Sequence, residues 1–199
     1  MRLIIDRLAL GGTKPVDEQH LLQDIRRLDE AAMSTIYHTY YDALYRYIYH
    51  HTGHMQTAED LTAETFSRLV EQLRQGKGPQ EHLRAWLYRV ARNLVIDEAR
   101  RGRSRRQQPL DERIAANGVD VAAQAERAIL RQQSAEALKA LTPKQRDVII
   151  LHYMEGLSNA EVAEIMNLPL TAVKALQQRG LAAMRRHLLR SGAVTEGTL

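Results

Sequence analysis

The chain has 199 residues, 44% of them hydrophobic and 26% charged, with a formal net charge of +4. That length suits one or two small domains, and the absence of cysteine excludes disulfides, thiolate zinc sites and cysteine nucleophiles and fits a reducing cytoplasm. No apolar run nears the roughly 20 residues that cross a bilayer, so no membrane insertion is expected.

The start, MRLIIDRLALGG, is an apolar patch interrupted by Asp6 and Arg7, a poor signal peptide, so a soluble cytoplasmic protein is expected. Residues 1–20 read as a weakly structured arm. From Leu21 to about His51 the apolar spacing predicts a helix with Ile25, Leu28, Ile36, Tyr40, Leu44, Tyr47 and Ile48 buried. Six of the eight tyrosines lie between Tyr37 and Tyr49, a density that points to core packing with hydroxyls at the rim. Gly53 breaks the run. A helix from about Thr57 to Gln75 follows, with Leu61, Phe66, Leu69, Val70 and Leu73 on its apolar side. Its first part carries Glu59, Asp60 and Glu64 without a lysine or arginine between residues 55 and 66.

GKGPQ at 76–80 is a loop by its glycine and proline content. The next helix has two stripes. Leu83, Leu87, Val90 and Leu94 form the apolar one. Trp86, Arg89, Asn93 and Arg100 form a second beside it, an aromatic ring, guanidinium groups and a carboxamide suited to bases and phosphates. Between Leu83 and Arg106 eight arginines face only Asp97 and Glu98, a positive field that favours DNA or RNA. A solvated helix running into a basic linker is the plain alternative. Residues 102–122 lack apolar periodicity, and a second helical block begins near Ala123.

The strongest local motif lies in 141–190. Thr142 is an N-cap with Pro143 at the first helical position. Gly156 ends that helix and Ser158 caps the next, which turns Val162, Ile165 and Met166 inward. Asn167, Leu168 and Pro169 make a tight break before a basic helix. This is the helix-turn-helix pattern, whose second helix enters the major groove. Lys174, Gln177, Gln178 and Arg179, near the start of that helix, suit base edges or phosphates. An ordinary three-helix bundle with a basic last helix is the alternative here.

Taken together, the chain resembles a small bacterial RNA polymerase sigma factor of the extracytoplasmic-function type. AEDLTAETFSRLVEQL at 58–73 is similar to the family's polymerase-docking helix, LRAWLYRVARNLVIDEARR at 83–101 to its −10 helix, and residues 141–188 to its −35 domain. The resemblance implies an all-α fold of two small helical domains joined by a flexible linker. It places domain two at 21–103, the linker at 104–130, domain four at 131–190 and a tail at 191–199. It implies that Asp60, Leu61 and Glu64 meet core polymerase (its beta and beta-prime subunits). Trp86, Arg89, Asn93, Asp97 and Arg100 would take single-stranded −10 DNA, with Asn93 on an extruded base and the loop 75–82 walling its pocket. Lys174, Ala175, Gln177, Gln178 and Arg179 would serve the −35 duplex. Partners would be core polymerase, promoter DNA and, in many members, an anti-sigma factor. Leu176 stands where many members carry arginine, and Leu170 and Thr171 replace the usual small-residue–glycine pair before the recognition helix, departures that bear on the −35 preference. Neither catalytic residues nor a cofactor is implied.

Two competing readings remain at this point. A helix-turn-helix regulator that never touches polymerase would need neither the acidic helix nor the single-strand stripe. A metal enzyme built on His50, His51 and His54 lacks an HExxH pattern and has Gly53 inside the set.

Overall fold

The computed structural model describes residues 18–102 and 135–191, and every regular element among them is helical. They fall into two compact units. The expected arm up to residue 17, the linker 104–130, the start of the second block near Ala123, the arginines beyond Gly102 and the tail past Ser191 lie outside the described residues.

The first unit opens with α1 (Glu18–Arg26) and α2 (Glu30–Thr52), so helix begins inside the stretch expected as an arm. The single helix expected from Leu21 to His51 is two. Leu28 adopts a φ of 57° and is 43% exposed, so it is not the core residue its spacing suggested. Its left-handed conformation costs about 1–2 kcal/mol. Asp29 offsets part of that as the N-cap of α2, accepting the Ala32 N–H at 2.8 Å.

Two further helices, α3 (Met55–Arg74) and α4 (Leu83–Gly102), complete the unit. These pack on each other and on α2, with α1 against α2 and α3. Ile36, Leu44 and Ile48 of α2, Leu69 of α3, and Leu83, Leu87 and Leu94 of α4 are buried in this core, each contributing about 1.5–3 kcal/mol by leaving water. The buried arc of α4 also takes in Tyr88, Ala91 and Val95, because this helix is wedged against two others. Val70 and Val90, expected inside, are only half-buried. Tyr47 and Tyr88 meet edge to face at 5.5 Å.

The tyrosines of α2 divide. Tyr40 and Tyr47 are buried, whereas Tyr37, Tyr41, Tyr45 and Tyr49 run along a partly exposed face with successive ring centroids 5.0, 6.4 and 6.1 Å apart. Two buried hydroxyls on α3 satisfy themselves within the helix, Thr62 donating to the Ala58 carbonyl and Thr65 to that of Leu61. Burial, reinforced by the neighbouring His51 and Arg46, pushes the His50 imidazole down to about 4.

The second unit comprises a helical segment at 135–139, α5 (Pro143–Ile149), a π-helical continuation (Ile150–Met154), α6 (Asn159–Met166) as far as Ala163, and α7 (Leu170–Arg190). Thr142 forms a reciprocal capping box with Gln145. Ser158 does the same with Glu161, whose carboxylate accepts the Ser158 N–H at 2.7 Å and whose own N–H reaches the Ser158 hydroxyl at 3.2 Å. Gly156 ends the π segment at a φ of 68° and Asn167 turns the chain at 51°, both as the sequence indicates. Val162, Ile165 and Met166 are buried. The π geometry is the departure: Glu155 donates its N–H to the Ile150 carbonyl, five residues back, where an ordinary last turn was expected.

Inside this unit α5 packs on α7. Gly180 permits the approach, because a Cβ there would stand 3.1 Å from Ile149 Cγ1 and 3.3 Å from its Cδ1. Arg146 ties the segment 135–139 to α5, donating to the Leu138 carbonyl at 2.9 Å.

Candidate nucleic-acid interface

Helix α4 turns about 100° per residue, which carries Arg89, Asn93 and Arg100 onto the side opposite Leu87, Ala91 and Leu94. Asn93 and Arg100 are exposed and Arg89 is half-buried. Asp97 shares that side, 3.5 Å from Arg100. An exposed pair of this kind contributes only about 0–1 kcal/mol, so a phosphate can recruit the arginine at little cost. Trp86 sits differently from the rest of its sequence stripe. It lies on the shoulder of α4 that faces α3, in an open groove of about 450 Å³ lined by Glu64, Arg68, Glu71, Gln72 and Val90.

The loop 75–82 precedes this helix. Its start is an extended C-cap of α3, with the Lys77 N–H donating to Gln72 O at 2.8 Å. Its far side is held from α1, where the Arg26 guanidinium donates to the Gln80 carbonyl at 2.7 Å and reaches that of Pro79 at 3.4 Å. Pro79 is buried and Gln80 exposed. Arg26 escaped the sequence reading, since nothing local signals a carbonyl fifty residues away.

On α3, Asp60 and Glu64 are exposed beside Glu59. Asp60 accepts from Gln56 at 3.2 Å and Glu64 from Arg68 at 2.9 Å. Leu61 is buried beneath this acidic face.

In the second unit Lys174, Gln178 and Arg179 are exposed on the first half of α7, with Ala175 half-buried between them. The Arg179 Nε donates to the Ala175 carbonyl at 3.2 Å, laying its side chain along the helix. Gln177 points elsewhere. Its amide nitrogen donates to the Tyr153 hydroxyl at 2.7 Å, and its carbonyl oxygen accepts from Asn159 at 3.2 Å. The sequence had offered Gln177 to base edges together with its neighbours; the fold turns it toward the π segment and α6.

This arrangement has close relatives. Residues 36–106 match the Sigma-70 region 2 family and residues 131–184 the Sigma-70 region 4 family. The chain is 35% identical over 161 residues to the ECF RNA polymerase sigma factor BldN of Streptomyces coelicolor, an alignment covering 79% of this chain and 60% of BldN. It is 30% identical over 182 residues to the ECF RNA polymerase sigma factor SigW of Bacillus subtilis, covering 84% of this chain and 94% of SigW. The chain belongs to the ECF RNA polymerase sigma factors. Among solved structures its fold is similar to that of CnrH in complex with the cytosolic domain of CnrY, with a TM-score of 0.67, 23% identity, and coverage of 87% of this chain and 97% of CnrH. It is also similar to RpoE of Bartonella quintana in complex with the anti-sigma factor NepR, with a TM-score of 0.63, 22% identity, and coverage of 78% and 95%. ECF sigma factors are transcription initiation factors, alternative sigma factors that direct promoter-specific initiation. Among the described residues no helix is long and apolar enough to cross a membrane, and no cluster of three or more metal-ligating side chains occurs.

Proposed function

We propose that this ECF sigma factor acts as a cytoplasmic specificity subunit of RNA polymerase and not as an enzyme, with the division of labour set by its two units. Domain two, residues 21–103, docks on the beta and beta-prime subunits of core polymerase through the acidic face of Asp60 and Glu64, with Leu61 beneath it. The same domain captures single-stranded −10 DNA on the outer side of α4. Asn93 hydrogen-bonds a base taken out of the stack beside the loop 75–82, Arg89 and Arg100 neutralise the strand, Asp97 orients Arg100, and Trp86 supports the shoulder. Opening the pair costs a few kcal/mol, which stacking and hydrogen bonds in a fitted pocket offset. After a linker at 104–130, domain four, residues 131–190, reads the −35 duplex with Lys174, Ala175, Gln178 and Arg179. An anti-sigma factor that covers these faces would silence the protein.

The observation that carries the reading is Asn93, a carboxamide exposed on a helix whose opposite side is buried, on the same side as Arg89 and Arg100. Transcription in vitro by core polymerase plus this protein, on pooled genomic fragments, tests it. Discrete starts sharing two upstream elements are expected. No initiation on any fragment would sink the reading. On duplex DNA, affinity should fall by about 0.9 log unit per log unit of salt for each phosphate neutralised.

A further inference from the structure

Helix α7 has a packed side and an open side, and Gln177 lies on the packed one. At about 100° per residue, Val173, Gln177, Gly180 and Met184 share a stripe, while Thr171, Ala175, Gln178 and Ala182 fall opposite. Val173, Gly180 and Met184 are buried. The amide of Gln177, half-buried on this stripe, is satisfied within the protein: Tyr153 accepts its N–H at 2.7 Å and Asn159 donates to its oxygen at 3.2 Å. One side chain therefore joins three elements, the π segment, the first turn of α6 and the recognition helix.

The π segment explains why Tyr153 is available. Its wider turn accommodates one residue more than an α-turn, so the side chains within it, Tyr153 among them, are offset from the positions of a continuous α-helix. Such single-turn π segments cost hydrogen-bond quality and recur at functional positions. Here the turn delivers a phenol hydroxyl onto α7 one turn before the helix ends at Gly156.

We infer that Gln177 is a positioning residue for −35 recognition: the Tyr153–Gln177–Asn159 chain fixes the rotation of α7 about its own axis, and so sets which base pairs Lys174, Gln178 and Arg179 meet. Base readout is bidentate and directional, so a small rotation of the helix moves all three side chains across the groove floor together. The inference rests on the proposed −35 reading. It differs from that reading in giving Gln177 no base of its own.

The test uses the holoenzyme formed by core polymerase and the full chain, transcribing a template pool randomised over the upstream element. Tyr153→Phe removes only the acceptor hydroxyl, and Gln177→Met keeps the length of the side chain without its amide. Each should lower discrimination at several base pairs at once, by about threefold to tenfold, the worth of one neutral hydrogen bond. Combined, the two should be no worse than Gln177→Met alone, because that substitution already breaks the Tyr153 bond. Gln178→Ala should instead relax one base pair. Three results would overturn the inference: a change at a single base pair with Gln177→Met while Tyr153→Phe is silent, which makes Gln177 a reader; additive losses in the double variant, which make the two residues independent; or reduced output with unchanged preference, which makes the link merely structural. A wild-type protein that enriches no upstream sequence would instead sink the −35 reading, and the inference with it.

Discussion

Helices α4 and α7, the two proposed nucleic-acid surfaces, are built on opposite plans. In α4 the key amide, Asn93, is exposed, with a buried hydrophobic face behind it and a loop held by Arg26 ahead of the helix's first turn. In α7 the exposed side chains are long and pliant, and an amide on the packed side, Gln177, is bonded to two other elements. A reader of extruded bases needs a pocket, because the base comes to it. A reader of an intact duplex needs a fixed helix orientation, because the groove does not adapt.

The largest effect is expected from breaking the support of α7. Gly180→Leu would force a side chain into Ile149, which already stands 3.1 Å from a hypothetical Cβ. Overpacking of this kind costs about 1–3 kcal/mol. Thermal unfolding of the full chain should show the second unit melting earlier, with −35 preference lost and −10 strand capture retained. Loss of both would contradict the separation of the two surfaces.

Removing one reader from each helix sharpens the comparison. Asn93→Ala should reduce initiation from a duplex promoter while core polymerase binding, measured by competition with wild type, stays within about twofold; Arg179→Ala should cost about 1–3 kcal/mol of −35 duplex binding and leave −10 capture intact. Equal loss of polymerase binding in the Asn93 variant would make that residue structural.

The smallest effect concerns the acid response of the first unit. His50 titrates near 4 in the fold against an ordinary value of 6.5, chiefly through burial. The unfolded chain therefore binds the extra proton first as pH falls. His50 should cost no stability above pH 6.5 and a growing penalty between 6.5 and about 4. In His50→Gln the urea midpoint of the first unit should decline less over that window than in wild type. Parallel declines would show that His50 is accessible to protons in the fold.

Much of this was legible in the chain. Periodicity located the helices, and Thr142, Ser158, Gly156 and Asn167 marked the ends in the second unit because capping and left-handed turns depend on residues within three or four positions. Three ordered motifs fixed the family. The misplacements have one physical origin: the direction of a side chain depends on what packs beside it. Leu28 has core spacing but sits in a left-handed turn that Asp29 stabilises from the next helix. Trp86 shares a stripe with Asn93, yet α3 draws it into a groove with Glu64 and Glu71. Leu61 belongs to an acidic motif but lies beneath it.

The sequence by itself determined that the described residues are helical, where the helices of the second unit are capped, and that the chain is an ECF sigma factor, since these rest on local hydrogen bonding and on residue order. Tertiary structure alone decided which members of each motif face outward. Gln177 shows why: its neighbours Lys174 and Gln178 look equivalent in the chain, and only the π turn carrying Tyr153 and the approach of Asn159 turn it toward the packed side, where it is half-buried.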